Sequence, residues 1–248
     1  MVRQVGHFSG LVLIPLKPDE DDAGPRRTVL TLNTYVRIVV LMSKPSLRED
    51  LLKGGLKVMF RSGYAGASVR DICEAAGVPL GSFTNHFRSK EAFAEEVLNR
   101  YFANLQGHVK KALDDKSLTP RQRLQRYLEI VSDVLADDKW NRGCLIGDFS
   151  IETSHSNLLR DKLEAIFQEW RAPFAACIAA AQADGEIDST FEPTDLAEFL
   201  LASWEGAILR MKVERSPAAL DRFKKIVFQS VFSKPHSSSG RSRNDRSF

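Results

Sequence analysis

Few residue types able to do chemistry occur in this chain, and their spacing excludes most reactions. Its 248 residues include three cysteines and five histidines. Cys73, Cys144 and Cys177 stand far apart, and none belongs to a Cys-x-x-Cys pair or a Cys/His cluster. No zinc or other metal site is therefore expected. An odd, sparse set also suits a reducing compartment better than a disulfide framework. His7, His108, His155 and His236 are scattered, with no nucleophile or ligand partner nearby in sequence. The carboxylate pairs Asp21/Asp22, Asp114/Asp115 and Asp137/Asp138 are adjacent residues beside linkers and helix ends. Adjacent positions on a helix do not face one site, so these pairs read as solvated charge. H-E-x-x-H, G-x-x-x-x-G-K-[ST] and G-x-S-x-G are all missing, so neither an enzyme nor a cofactor is expected.

One cluster remains. Between Pro79 and Lys90 lie Leu80, Gly81, Ser82, Thr84, Asn85 and His86, interrupted by Phe83 and Phe87. The phenylalanines are four apart, one helical turn, and can lock a short helix onto a core. The polar positions between them are then free to meet base edges or phosphates, and Gly81 allows close backbone approach. Across residues 46–90 the basic residues Arg48, Lys53, Lys57, Arg61, Arg70, Arg88 and Lys90 outnumber Glu49, Asp50, Asp71 and Glu74. Lys90 also falls at a helix N-terminus, where backbone N–H groups favour a phosphate. Overall the net charge is only +3 with 27% charged residues, which permits an acidic partner without demanding one.

The elements that must position this cluster can be read from local signals. Leu52, Leu56, Met59 and Phe60 form a stripe at helical spacing that should stop at Gly63. Ser68-x-x-Asp71 resembles a capping box opening a helix through Val69, Ile72, Cys73 and Ala76, which Gly77 breaks. Ala75-Ala76-Gly77 supplies the small residues and the turn, Val78 joins the lock, and Pro79 suits a first helical position. Ser89 can cap a long helix to about Leu113. Further helices are expected from Thr119-Pro120 to Ala136, from about Asn157 to Ala183, from Pro193 to about Arg215 and from Pro217 to near Ser233. A glycine-punctuated segment, Trp140–Phe149, lies among them.

Residues 1–44 differ in pattern: apolar, β-branched pieces flank a Pro/Asp/Gly stretch from Pro18 to Pro25. They read as a poorly ordered extension, with Met42 as the alternative translation start. A genuine extra arm is the other possibility, and intact-mass measurement separates the two. Residues 234–248 read as a disordered basic tail. No apolar run reaches the ~18–20 residues that span a bilayer, and no secretory signal is present, so a cytoplasmic location without membrane attachment is expected.

The run Gly63-Tyr64 … Ser68-Val69-Arg70-Asp71-Ile72 … Ala75-Ala76-Gly77-Val78-Pro79-Leu80-Gly81-Ser82-Phe83 … His86-Phe87-Arg88-Ser89-Lys90-Glu91 resembles the N-terminal domain of tetracycline-repressor (TetR) family regulators. The resemblance implies an all-α fold of about nine helices. A helix-turn-helix domain at residues 45–92 would precede a helical effector-binding and dimerisation domain at 93–233. It implies a homodimeric repressor, bound to a pseudo-palindromic double-stranded DNA operator and released by a small-molecule effector. DNA contacts would come from Ser68, Arg70, Pro79, Leu80, Gly81, Ser82, Thr84, Asn85, His86 and Lys90. Leu80 stands where the family usually carries a basic or polar residue, and Thr84 where it carries tyrosine. Those departures leave one rival reading, a small-molecule-binding protein whose DNA contacts are weakened or lost.

Two expectations concern the larger domain. Trp140, Cys144, Phe149, Trp170, Phe174 and Trp204 are candidates for the lining of an apolar pocket, with plain core packing as the alternative for each. The helices from Pro193 and Pro217 are apolar on more than one side, so a second copy is expected to cover part of them. Leu200, Leu201, Ile208, Phe223, Val227, Phe228 and Val231 are the residues assigned to that interface. Gly143-Cys144 is similar to a TetR subgroup that includes cysteine-based electrophile sensors. Cys144 is therefore either a sensing thiol or a small buried hydrophobe, and equal responses to an electrophile in wild type and Cys144→Ser would exclude the former.

Overall fold

The computed structural model describes residues 29–32, 36–39, 46–152 and 156–234. The chain divides into two compact units, Met1–Ser46 and Leu47–Phe248. In the first, strands β1 (Val29–Leu32) and β2 (Val36–Val39) pair antiparallel, with Val29 opposite Val39 and Leu32 opposite Val36. The rest of the segment read as an extension lies outside the described residues, as does the tail beyond Lys234.

The second unit is helical throughout its described residues, as the fold reading expects. α1 (Leu47–Gly66) turns at Gly63, where φ is +70°. A left-handed backbone favours glycine, so the regular helix stops where the sequence places its end. α2 (Val69–Ala76) opens on a complete capping box: Asp71 N–H donates to Ser68 Oγ at 3.1 Å, and Ser68 N–H donates to the Asp71 carboxylate at 3.1 Å. Gly77, also left-handed, closes α2 with its N–H on the Glu74 and Cys73 carbonyls. Then come α3 (Gly81–His86) and α4 (Lys90–Leu113), the latter capped by Ser89 through the Ala92 N–H.

α5 (Pro120–Asp137) begins with Thr119 and Gln122 in a second capping box. α6 (Leu145–Glu152) is a short helix inside the glycine-punctuated segment. α7 (Asn157–Ala183), α8 (Pro193–Glu214) and α9 (Ala218–Gln229) follow the expected bounds. Among the described residues no helix is long and apolar enough to cross a membrane.

The boundary expected near residue 92 falls in the first turn of α4. α1 packs on α2, α4 and α6, so one core runs from the N-terminal helices into the larger body. Gly55 permits this closeness, since a Cβ there would overlap the ring of Phe93. The rings of Phe83, Phe87 and Phe93 pack mutually, 4.7–5.4 Å between centroids. Each such pair contributes about 0.5–1.5 kcal/mol beyond simple burial.

Candidate nucleic-acid interface and internal cavity

α3 is presented by its two aromatic anchors. Phe83 and Phe87 are buried, whereas Pro79, Leu80, Gly81, Thr84, Asn85 and His86 are exposed. Ser82 is buried, contrary to its assignment as a contact residue. Neighbours on a helix are only ~100° apart, so the inward arc that takes Phe83 also takes Ser82.

Several assigned polar groups are already in use. The Thr84 hydroxyl donates to the Gly81 carbonyl at 3.1 Å, and the Ser68 hydroxyl serves the α2 cap. The Lys90 ammonium lies 4.5 Å from the Tyr64 ring centre and donates to the Ala65 carbonyl at 3.3 Å. Burial pulls its pKa below the usual lysine value, against the opposing pull of Glu152. Arg70, Asn85 and His86 therefore carry the exposed polar surface beside the Gly81 backbone.

A cavity of about 580 Å³ opens in the larger body, within the ~300–1,000 Å³ range of small-molecule sites. α1, α4, α5, α7 and α8 contribute to its wall, with the Arg142–Cys144 segment. Cys144, Trp170 and Trp204 of the expected lining are in that wall; Trp140, Phe149 and Phe174 are not among the lining residues. Phe149 instead packs against Tyr64 at 5.8 Å and Phe174 against Tyr127 at 4.7 Å between ring centres. Trp140 is half-buried against the core, its backbone turned left-handed at the end of α5.

Sequence reading missed the polar part of this wall. Tyr101 donates its hydroxyl to Cys144 Sγ at 3.6 Å. Burial, with the nearby Glu205 carboxylate, pushes the Cys144 thiol well above its usual range, so the sulfur is held as a neutral thiol. Burial raises Glu205 to a pKa of about 7; Cys144 opposes the shift and Asp148 adds to it. A charged residue directly after Trp204 in a largely apolar helix was the available signal.

Folding therefore favours the protonated Glu205 carboxyl. Between its ordinary 4.5 and about 7 the folded chain holds more of this proton than the unfolded chain. Stability consequently falls as pH rises through that window. Glu205→Gln should flatten this part of the stability curve, measured by chemical denaturation at pH 5 and pH 7.5. An unchanged slope would contradict the assignment.

The expected dimer residues also need revision. Leu200, Leu201, Ile208, Val227 and Phe228 are buried within the protomer, and Phe223 and Val231 are partly so. α8 packs on α7 and α9, which consumes those faces. The exposed apolar face of α8 instead carries Phe199, Leu209 and Val213, with Ala202 and Gly206 between them and Ile226 exposed on α9. Leu209, Val213 and Ile226 are 51%, 74% and 56% exposed.

A hydrogen bond adds to the packing that joins the cavity side to the N-terminal helices. Glu152, at the end of α6, accepts the Ala65 backbone N–H at 2.5 Å, beside the turn at Gly63. α6 starts at the cavity wall and ends on the segment that leads into α2.

Comparison with known proteins agrees with this architecture at both ends. Residues 51–97 match the model of bacterial regulatory proteins of the tetR family, and residues 120–227 match a tetracyclin repressor-like C-terminal domain. The chain is 44% identical over 191 residues to the HTH-type transcriptional repressor DhaR of Mycobacterium sp. (strain GP1), covering 77% of this chain and 94% of that one. It is 35% identical over 179 residues to the transcriptional regulator AcuR of Cereibacter sphaeroides, covering 71% and 80% respectively. A crystal structure of a regulatory protein TetR from Rhodobacter sphaeroides superposes with a TM-score of 0.70 at 33% identity, over 73% of this chain and 96% of that one. With a capped helix-turn-helix in front of a hollow helical body, this chain belongs to the TetR family of transcriptional regulators.

Proposed function

We propose that the protein is a homodimeric repressor, cytoplasmic and without enzymatic activity, released from a pseudo-palindromic operator by a small molecule in the 580 Å³ cavity. The observation that carries the reading is α3 itself. It is a short helix locked by Phe83 and Phe87, with Arg70, Asn85 and His86 exposed beside an exposed Gly81. Repression is supported by the name of the relative DhaR.

A single short helix offers few base contacts, so operator binding needs two copies. The exposed stripe of Phe199, Leu209 and Val213 with Ile226 supplies the apolar surface for a two-fold interface. Two α3 helices then address half-sites a helical turn or a multiple apart. The route for release runs from the cavity through α6 to Ala65 and Gly63, ahead of α2. A ligand that binds the non-operator geometry more tightly by only ~1–3 kcal/mol weakens DNA binding about 5–150-fold.

Two observations favour the rival, a ligand-binding protein with lost DNA contacts: Leu80 is 52% exposed, and Thr84 spends its hydroxyl on its own helix. The test is selection of bound fragments from random DNA, followed by Asn85→Ala and His86→Ala. Each should lower affinity for the selected sequence by about 5–100-fold, in proportion to the ~1–3 kcal/mol of a base-edge contact. Failure of selection to enrich any sequence would favour the rival.

A further inference from the structure

The large cavity shares its wall with a smaller space. A pocket of about 210 Å³ opens between α6 and α8. Gly143, Cys144, Glu205 and Ile208 line both spaces, so these four residues stand between them. Gly147 lets α6 lie close against α8 here, since a Cβ at that position would come within 2.6 Å of a Glu205 carboxyl oxygen.

The rim of the pocket is apolar and exposed. Ile151 on α6 is 74% exposed, and it lines the pocket together with Leu209 of α8. Val213, one turn beyond Leu209, continues the same surface. Gly206 borders the pocket without a side chain, and a Cβ there would meet open space. Ile151 therefore joins the exposed apolar stripe of α8 to α6, across a hole.

Size and charge limit what can fill that hole. Its volume lies below the ~300 Å³ at which small-molecule sites begin, and suits a single side chain. Asp148 and Lys212 are spent on each other at 3.0 Å. Burial raises Glu205 to about 7, which makes it a poor counter-ion for a cation. An uncharged, apolar occupant fits best. A two-fold contact is self-complementary, and this patch offers both halves of one: protruding apolar side chains and a hole that admits one. It is also continuous with the α8 stripe that the dimer needs.

We propose that a second copy of this chain seats an apolar side chain in the α6–α8 pocket, so that the dimer interface extends onto α6 and the second copy backs the wall of the effector cavity. This rests on the protein being a homodimer. A ligand that displaces the shared wall from inside then alters the fit of the second copy outside. By linkage, dimer formation changes ligand affinity by the same factor.

Sedimentation velocity of the full chain over a dilution series, with amide exchange on the same samples, tests this. Ile151→Asp should raise the dimer dissociation constant about tenfold or more, because a carboxylate is desolvated at two symmetry-related places. Ile151→Ala should raise it about threefold. Neither should lower the melting midpoint of the separated protomer, since Ile151 is largely exposed. In the wild type, amides of α6 should exchange at least about threefold more slowly in the dimer than in the separated protomer. A wild-type dissociation constant for Ile151→Asp, or α6 exchange that does not depend on concentration, would overturn the proposal while leaving a dimer built on α8. A chain that stays monomeric at every concentration would overturn the homodimer reading as well.

Discussion

Leu209→Glu combined with Val213→Glu is expected to convert the dimer to a monomer and weaken operator binding about 100-fold or more. Both side chains point away from their own protomer, 51% and 74% exposed, so folding of the chain does not depend on them. In a two-fold interface each substitution occurs twice. Four new carboxylates would then be brought together and desolvated in the contact. The DNA effect follows from linkage: one reading head loses the effective concentration supplied by its partner, which is commonly a factor of 10²–10⁴. Sedimentation velocity and operator titration on the same sample provide the check. A variant that stays dimeric, or a monomer that binds the operator as well as wild type, contradicts this interface. The buried residues of the same helix offer a contrast. Leu200→Glu should disrupt the protomer itself, because Leu200 has no exposure.

The second large effect is expected at Phe87. Phe87→Ala removes a ring that packs on Phe83 at 5.4 Å and on Phe93 at 4.7 Å, with the Arg48 guanidinium 5.2 Å from its centre. Truncating a buried phenylalanine costs about 3–5 kcal/mol. For a chain of this length that lowers the melting midpoint on the order of 10 °C. The loss should be concentrated in α3, which packs only lightly on α1 and α2, so amide exchange accelerates there before it does in α7 or α8. Operator binding should disappear at temperatures where ligand binding in the cavity persists. Uniform acceleration across all helices, or undiminished DNA affinity, would show that the aromatic lock does not hold the reading helix.

Where the sequence was legible, the determinants were local. Ser68 with Asp71, Gly77, Ser89 and Thr119 with Gln122 mark helix ends through bonds spanning three or four residues, so their pattern survives without tertiary information. The same holds for the spacing of Phe83 and Phe87. What could not be read is rotation about a helix axis. Along α8 apolar residues occur on nearly every side, and only packing on α7 and α9 decides that Leu200 turns inward while Leu209 turns out. Ser82 was misplaced for the same reason, since a small polar residue fits either side of an anchoring arc. α6 was hidden among glycines, and its contact with Ala65 joins residues 87 apart in sequence. The cavity was hidden in a different way: Tyr127 and Trp170 look like plain core residues until the packing of five helices leaves a space beside them.

Whether α3 reads a specific DNA sequence is decided by titrating the dimer against its selected operator and against random DNA over rising salt. The operator should be preferred by at least about 10³-fold. Affinity should fall linearly in log–log form as phosphate contacts release counterions. Equal affinity for both DNAs at every salt concentration would contradict specific reading by α3.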